Sequence, residues 1–360
     1  MGTALTVILA LLVFGFLIFI HEFGHYITAR IFKVTITDFS IGMGPKLVTY
    51  TSKKTNINYS LGMFPIGGYV AMVGEDEDSD DPNAFNKKPA WQRFIITAAG
   101  ATVNILVGFL AMIIITASIR VGNTTVHSFI PADSFPAEEG YTYVAPSSDY
   151  GLMAGDTITH VNGKRVKIAD ELSYEIMRHG YEPVDLTVLR NGEVKVIEDV
   201  IFPTATDQGQ TFGSMDFFVT AIDKGFFDTF GIAFRKACLV MRMCWESIFD
   251  LLTGRYTVAA ISGPVGISSA IGEAVSVGTF AQRILSLLNI TVIISINLGF
   301  MNLLPIPALD GGRIAVILIE MITRKKMPAK VEGIINAVGL AALLLLSVVI
   351  MAKDIFQLFI

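Results

Sequence analysis

The stretch from Thr3 to His25, TALTVILALLVFGFLIFIHEFGH, joins an apolar run directly to two histidines that are four residues apart. Residues four apart lie on one face of a helix, so His21 and His25 can direct two imidazoles at one Zn²⁺. Glu22 then lies close enough to take a proton from an activated water. The roughly 18 apolar residues before His21 nearly cross a hydrocarbon core of about 30 Å. The pattern therefore predicts a metal centre inside a membrane.

This stretch has two other interpretations. An HExxH string can occur by chance on a helix whose histidines only form hydrogen bonds, but such polar groups at membrane depth are costly and usually functional. A cleaved signal peptide would have a basic start, a shorter apolar core and a small-residue cleavage site, which this stretch lacks. We therefore favour a membrane-spanning helix that carries a zinc site.

The composition also indicates a membrane protein. Of the 360 residues, 52% are hydrophobic and 16% are charged, against about a quarter charged in soluble domains. Four stretches are apolar and long enough to cross a bilayer once each, namely Thr3 to about Ile31, Phe94 to Ile119, Ile284 to about Leu304, and Ile334 to Ala352. We predict a polytopic α-helical membrane protein with about four spans. The net charge of −5 and the lack of a basic cluster argue against a nucleic-acid partner.

Basic residues predict the orientation of the spans, because they concentrate on the cytoplasmic side. They lie between spans one and two (Lys33, Lys46, Lys53, Lys54, Lys87, Lys88, Arg93) and between spans three and four (Arg313, Arg324, Lys325, Lys326, Lys330). Both connections should be cytoplasmic. The N-terminus, the C-terminus and the insertion between spans two and three then face outward, and His21 and His25 lie toward the cytoplasmic side.

The insertion, from about Arg120 to Val275, predicts a folded domain. Residues 150–163 predict a turn, a short strand with Ile158 and Val161, and an Asn-Gly hairpin turn. A helix from about Ala169 to His179 and strands over 184–189 and 194–201 should follow. The string Gly-Leu-x-x-Gly-Asp-x-Ile-x-x-Val-Asn-Gly resembles PDZ domains, which implies a peptide ligand that adds a strand at a sheet edge. The alternative is a generic small β-rich domain with a Gly-Asp turn.

The segment after this domain is predicted to be an amphipathic helix. Between Gly225 and Tyr256 the aromatic residues recur at helical spacing together with basic residues. Such a helix would lie along the outer membrane surface or against the inserted domain. Cys238 and Cys244 are six residues apart on different helix faces, so we expect no disulfide between them.

Other polar residues suggest no site. The acidic run from Glu75 to Asp81 is expected to be a solvated loop, and a partner-binding role has no support in the sequence. His127, His160 and His179 fall in the insertion and are expected at its surface.

A catalytic zinc usually has three protein ligands, so two histidines require one more. The best candidate is Asp310, which follows a stretch where Pro305 and Pro307 forbid regular helix. Broken backbone at membrane depth is tolerated only where it lines a cavity in the protein. The alternatives are that Asp310 is an interfacial turn residue or that Glu320 is the ligand.

Taken together, these motifs resemble the site-2 proteases, intramembrane zinc metalloproteases, and in particular the bacterial regulator-of-sigma-E protease type. The HExxH at His21 to His25, the Asn-x-x-Pro-x-Pro-x-Leu-Asp-Gly motif at Asn302 to Gly311 and the PDZ-like string between them follow the family order. The resemblance implies one zinc per chain held by His21, His25 and Asp310. It also implies that Glu22 is the general base and that Asn302 holds the substrate or stabilises the oxyanion.

The resemblance also implies a membrane-associated β-hairpin near residues 62–73, where Pro65, Gly67 and Gly68 would bind a substrate unwound into a strand. From the residues alone, this stretch reads only as a turn beside a short strand. Two departures from the family pattern occur. Ala101 replaces the proline of a family Gly-Pro-x-x-Asn segment at Gly100 to Asn104, and the insertion has room for one PDZ domain rather than two.

The expected organisation is a membrane core over 1–120, a PDZ domain over 121–205, an amphipathic segment over 206–280 and a second core half over 281–360. The expected function is cleavage of transmembrane segments in already shortened single-span proteins of the bacterial cytoplasmic membrane. Anti-sigma factors or signal-peptide remnants are the implied substrates. The rivals are a non-proteolytic scaffold with structural zinc and a membrane-anchored protease whose active site lies outside the bilayer.

Overall fold

The computed structural model describes residues 3–75, 77–135, 140–207, 210–255 and 263–357. Asp76 of the acidic run and Tyr256 of the amphipathic segment lie outside these ranges. The chain divides into two compact units. We call them the membrane unit, formed by Met1–Ala111, Val240–Leu252 and Ile261–Ile360, and the insertion unit, formed by Met112–Leu239 and Thr253–Ala260.

The described residues form helices α1 to α8 and strands β1 to β11. The helices are α1 Thr3–Ile31, α2 Ala90–Ser118, α3 Ala169–His179, α4 Phe226–Leu252, α5 Pro264–Ser276, α6 Phe280–Leu303, α7 Asp310–Thr323 and α8 Ala329–Gln357. The strands are β1 Ile36–Thr51, β2 Asn58–Met72, β3 Gly122–Phe129, β4 Tyr141–Thr142, β5 Thr157–Val161, β6 Lys164–Arg165, β7 Val184–Arg190, β8 Glu193–Val200, β9 Thr204–Asp207, β10 Gln210–Gly213 and β11 Phe217–Ala221.

Four helices of the described chain are long and apolar enough to cross a membrane. They cover Thr6–Ile31, Ala90–Ser118, Phe280–Leu303 and Val331–Asp354, so the four predicted spans are confirmed in number and place. Small residues bring the spans close together in the membrane unit. A Cβ at Gly24 would lie 2.6 Å from the Ala99 carbonyl oxygen, and one at Gly299 would lie 2.6 Å from that of Ala101. Glycine at these positions therefore lets α2 pack directly on α1 and on α6.

Strands β1 and β2 form a sheet in the membrane unit, and each strand bends on itself. Residues 36–41 pair with residues 68–72 and run opposite to them, while residues 38–41 also pair with residues 58–61 and run in the same direction. Residues 58–61 pair on their other side with residues 48–51. Because residues 58–61 and 68–71 run past residues 38–41 in opposite directions, the chain reverses between Leu61 and Gly68 as well as between Thr51 and Asn58. The predicted turn beside a short strand lies at the reversal between Leu61 and Gly68. Gly67, at φ +79°, adopts a left-handed conformation that permits this reversal. The sheet is therefore much longer than the predicted 62–73 hairpin.

The insertion unit is an α+β domain. Its main sheet has the order β11-β3-β5-β7-β8 with β6 paired to β5, and a second sheet has the order β10-β9-β4. The helix predicted from about Ala169 to His179 and the strands predicted over 184–189 and 194–201 are observed as α3, β7 and β8, and the strand with Ile158 and Val161 is observed as β5. Apolar side chains of α3 and of the main sheet share one buried core, which includes Leu172, Ile176, Leu186 and Phe217. Because side chains alternate between the two faces of a strand, Leu186 and Phe217 point toward this core.

The predicted amphipathic helix is observed as α4. Its aromatic residues are exposed, including Phe226, Phe227, Phe230, Phe234, Trp245 and Phe249. Within the insertion unit, the basic residues of α4 contact α3, since Arg235 pairs with Glu171 at 2.7 Å and Lys236 with Asp170 at 2.9 Å. Both cysteines of this helix are free, as predicted.

Candidate active site

Helix α1 places His21 and His25 side by side. The two Nε2 atoms are 3.2 Å apart, and the ring centroids are 4.9 Å apart with the planes at 78°. The four-residue spacing alone explains this placement, because it returns the chain to the same helix face. His25 is buried and His21 is partly buried. The predicted pair of imidazoles is therefore formed on one face of the first span.

Asp310 reaches the same point from the start of α7. Its Oδ2 lies 3.2 Å from His21 Nε2 and 3.3 Å from His25 Nε2. The backbone breaks between Leu303 and Asp310, as the two prolines predicted, and Ala308 adopts a left-handed conformation at φ +72°. This break turns the chain sharply enough to bring the first residue of α7 beside α1.

The geometry of these three side chains fits zinc. Zinc bonds to nitrogen and oxygen of about 2.0–2.1 Å in a tetrahedron separate neighbouring ligand atoms by about 3.3 Å, and the three observed separations are 3.2, 3.2 and 3.3 Å. Asp310 Oδ2 is buried and has no hydrogen-bond partner among the described residues. The three atoms therefore converge on one centre, and two imidazoles with one carboxylate are a donor set typical of catalytic zinc.

Residues of helix α2 contact the Nδ1 atoms of both histidines. The Nδ1 atom of His25 is 2.9 Å from the carbonyl oxygen of Ile96, and the fully buried Asn104 has its Nδ2 3.5 Å from His21 Nδ1. Gly100 lies under the His25 ring, where a Cβ would overlap Nε2. Only glycine leaves room for the ring at this position.

Glu22 lines a cavity of about 180 Å³ together with the three converging side chains. Its carboxylate accepts a hydrogen bond from the backbone of Val70 in β2. A Cβ at Gly68 would lie 2.9 Å from Glu22 Cγ, so Gly68 provides the space that the Glu22 side chain occupies. The predicted general base and the predicted ligands therefore share one cavity.

One wall of this cavity is the edge of the bent sheet. Gly68, Tyr69, Val70 and Met72 line the cavity, and residues 68–72 pair on one side with residues 36–41. No second strand of the described residues pairs with their other side. The backbone at this edge is therefore open to a strand from another molecule.

Other predicted site residues lie elsewhere or are only partly described. Asn302 is in the last turn of α6, and it neither lines the cavity nor bonds to the three converging residues within the described chain. Pro65 belongs to β2, but its side chain lies outside what the structure describes, and Gly67 is at the bend one residue before the cavity wall. Glu320, the alternative ligand, pairs instead with Arg93 at 2.5 Å.

Comparison of the whole chain with known proteins identifies the family to which this site belongs. A sequence model of peptidase family M50 matches residues 9–346. The chain belongs to peptidase family M50, the site-2 protease family. It is therefore a zinc metalloprotease and an integral membrane protein, and the family resemblance drawn from the sequence is confirmed.

Bacterial relatives of this M50 protease share nearly its whole length. A protein of Clostridium acetobutylicum named as a zinc metalloprotease is 34% identical over 97% of each chain. One of Fusobacterium nucleatum, named in the same way, is 31% identical over 99% of this chain and 100% of its own. The zinc metalloprotease RasP of Geobacillus kaustophilus is 26% identical over 98% of both chains.

Some residues of the M50 site were not expected from the sequence. Thr97, Glu75 and Arg313 also line the cavity, and Arg313 forms ion pairs with Glu75 and with Glu332. The expectation that the acidic run is only a solvated loop is thus wrong for Glu75. Arg313 follows Asp310 by three residues, and this helical spacing was the available signal that both side chains face the same cavity.

Proposed function

We propose that this protease is an intramembrane endopeptidase that cuts the transmembrane segment of an already shortened single-span protein and releases a cytoplasmic fragment. One observation carries the proposal. A zinc-type donor set, a carboxylate and an open strand edge meet in one cavity, at the end of an apolar helix long enough to cross most of a bilayer. Anti-sigma factors and signal-peptide remnants are substrates of the proposed kind. The two-stage cleavage they undergo is regulated intramembrane proteolysis.

The open strand edge explains how a helical substrate would be held. A transmembrane helix satisfies its own backbone groups, so a protease must unwind it before a peptide bond is accessible. Residues 68–72 have no second partner strand among the described residues, lie beside Glu22 and would pair with the unwound segment. Pro65 and Gly67 precede this edge, and we assign them to substrate binding together with Gly68. Asn302 is assigned to hold the substrate backbone or the oxyanion.

The proposed chemistry divides among four residues. His21, His25 and Asp310 hold one zinc per chain, which when bound supplies a Lewis acid that activates water and polarises the scissile carbonyl. Glu22 accepts the proton of the attacking water and passes it to the leaving amine. The burial of this site and its position against β2 limit the access of bulk water to the reacting groups.

The insertion unit is assigned as a single PDZ domain over residues 121–205. The order of a Gly-Asp turn, a strand, helix α3 and the paired strands β7 and β8 supports this assignment. The expected boundary at residue 205 moves, because β10 and β11 pair with strands of the same unit and extend the domain to Ala221. Within the expected 206–280 segment, the amphipathic part is therefore α4, between core halves at 1–120 and 281–360. The distribution of basic residues supports an extracytoplasmic PDZ domain with both termini on the same side and the active site toward the cytoplasm. A peptide would be the ligand of such a domain.

The test uses the purified full-length protease with a single-span substrate in lipid vesicles. The substrate should be cut within its transmembrane segment, and a zinc chelator should stop the reaction. Glu22→Gln should reduce turnover by about 10²–10⁴-fold while zinc stays bound, because an amide cannot accept the water proton. Glu273→Gln changes an exposed glutamate of α5 and is the matched control.

Two results would overturn the proposal. One is wild-type turnover in Glu22→Gln. The other is equal cleavage of soluble unfolded proteins and of transmembrane segments, which would favour the membrane-anchored protease with an active site outside the bilayer.

A further inference from the structure

The two histidines of α1 have the same chemical requirement. Both direct Nε2 toward the point where the three donor atoms converge. A neutral imidazole that binds metal through Nε2 carries its proton on Nδ1, and that proton needs an acceptor to fix the ring. His25 has one, because its Nδ1 lies 2.9 Å from the Ile96 carbonyl oxygen. The corresponding neighbour of His21 Nδ1 is the side-chain amide of Asn104.

Asn104 is fully buried on α2, and its amide is only half used. Its Nδ2 is 3.5 Å from His21 Nδ1, while its Oδ1 has no hydrogen-bond partner among the described residues. In this orientation the amide donates to an unprotonated Nδ1, which places the imidazole proton on Nε2 and blocks that atom as a ligand. The amide nitrogen and oxygen occupy nearly equivalent positions, so a half-turn exchanges them without repacking. The turned amide presents its oxygen to Nδ1–H.

We propose that Asn104 is the positioning residue of the zinc site, with its amide oxygen accepting the Nδ1 proton of His21 and fixing the ring for metal binding. The inference rests on the proposed role of His21 as a ligand. One amide atom is unpartnered in either orientation, so the tautomer of His21, that is, which ring nitrogen carries its proton, selects between them. The Asn104 side chain then accepts the Nδ1 proton of His21, as the backbone carbonyl of Ile96 accepts that of His25.

The surroundings of Asn104 hold it in place for this role. Ser295 Oγ of α6 donates a 2.8 Å hydrogen bond to the backbone carbonyl oxygen of Asn104. A Cβ at Gly108 would lie 2.7 Å from Ile296, and one at Gly299 would lie 2.7 Å from Ile105, so α2 and α6 are in close contact on both sides of Asn104. The backbone of Asn104 is therefore rigid, which a residue that orients a ligand requires.

The experiment measures zinc affinity of the purified full-length protein by competition with a chelator, and thermal unfolding of the metal-free protein. Asn104→Leu should weaken zinc binding by about 10–100-fold, the usual effect of losing such a partner. Metal-free Asn104→Leu should be as stable as the wild type or more stable, because an unpartnered buried amide is removed. Asn104→Asp keeps an acceptor and should restore most of the affinity. Thr102→Val, whose hydroxyl bonds only within α2, is the matched control and should bind zinc normally.

Wild-type zinc affinity in Asn104→Leu would overturn the inference. So would a loss of affinity that Asn104→Asp does not restore, or one that parallels an equal loss of metal-free stability, because each indicates only a packing role. His21→Ala separates this failure from failure of the proposed function. If His21→Ala keeps zinc, the ligand assignment itself is wrong. If it loses zinc, adding Asn104→Leu should weaken residual binding no further, since Asn104 acts through the missing ring.

Discussion

Asp310 of the membrane unit has different partners from the buried carboxylates Asp156 and Asp216 of the insertion unit. In the insertion unit, Asp156 pairs with the Arg190 guanidinium at 2.6 Å, and Asp216 accepts hydrogen bonds from both Ser147 Oγ and the Ser147 backbone. In the membrane unit, the carboxylate of Asp310 meets two imidazoles instead of a permanent cation. A buried carboxylate with a complete set of partners stabilises a fold, whereas one that converges with other electron-pair donors is suited to hold a metal.

The two units also differ in what their apolar surface does. In the insertion unit, apolar residues of α3 and of the main sheet form one buried core, whereas the aromatic residues of α4 are exposed. Helix α8 of the membrane unit leaves Ile334, Val338, Leu344 and Leu345 exposed, a face that only lipid or another protein would cover.

The largest expected effect comes from removing the Asp310 carboxylate of the membrane unit. Asp310→Ala should lose activity and weaken zinc binding by more than about 100-fold, because a direct ligand contributes more than an outer partner. Elemental analysis and chelator competition on the purified protein measure this. Thermal unfolding of the insertion unit should not change. Full zinc occupancy in Asp310→Ala would require a different third ligand.

Removal of a buried carboxylate from the insertion unit should affect the stability of that unit and not zinc binding. Asp156→Ala leaves Arg190 without its carboxylate and should lower the free energy of unfolding of the insertion unit by about 3 kcal/mol, while zinc content stays at the wild-type level. Thermal unfolding and limited proteolysis measure the first effect. Glu193→Ala, which removes an exposed carboxylate 4.0 Å from Lys195, is the control and should cost less than about 1 kcal/mol. Equal effects of the two substitutions would contradict the structural role of Asp156.

Acid should weaken the same ion pair in a defined pH range. Burial raises the pKa of Asp156, but hydrogen bonds from Arg190 and from the Met153 backbone outweigh it and hold the pKa below its usual value. A lowered native pKa stabilises the fold above about pH 4, the ordinary value for aspartate, and the stabilisation is lost as the pH falls through the native pKa. The stability difference between wild type and Asp156→Asn should therefore be constant from about pH 5 to 7 and shrink below about pH 4. A difference that already shrinks near pH 6 would assign the effect to another group.

The smallest effect is expected for Glu320→Gln. Glutamine can still accept a hydrogen bond from Arg93, so the free energy of unfolding should fall by only about 1 kcal/mol, and zinc content should not change. The zinc content of Glu320→Gln is measured side by side with that of Asp310→Ala. Loss of zinc in Glu320→Gln would make Glu320 a ligand and would contradict the pairing with Arg93.

The sequence by itself determined the features that depend on neighbouring residues. Length and apolarity predicted four spans, helical spacing placed His21 and His25 on one face, and the segments 184–189 and 194–201 were predicted to be strands, which pair as β7 and β8. Each of these follows from local periodicity and hydrophobicity, which residues express wherever the segment lies.

Only the tertiary structure decided how distant segments meet. The meeting of Asp310 with α1, the open edge at residues 68–72, the pairing of Glu75 with Arg313 and the contact of Asn104 with His21 all join residues far apart in the chain. The turn expected at Pro65 to Gly68 lies where β2 reverses, but its place between two segments of one sheet could not be predicted, since proline and glycine permit a reversal of the chain but equally permit a bend within a strand. Strand pairing and helix packing choose between these options, and both are set by long-range contacts that no local pattern contains.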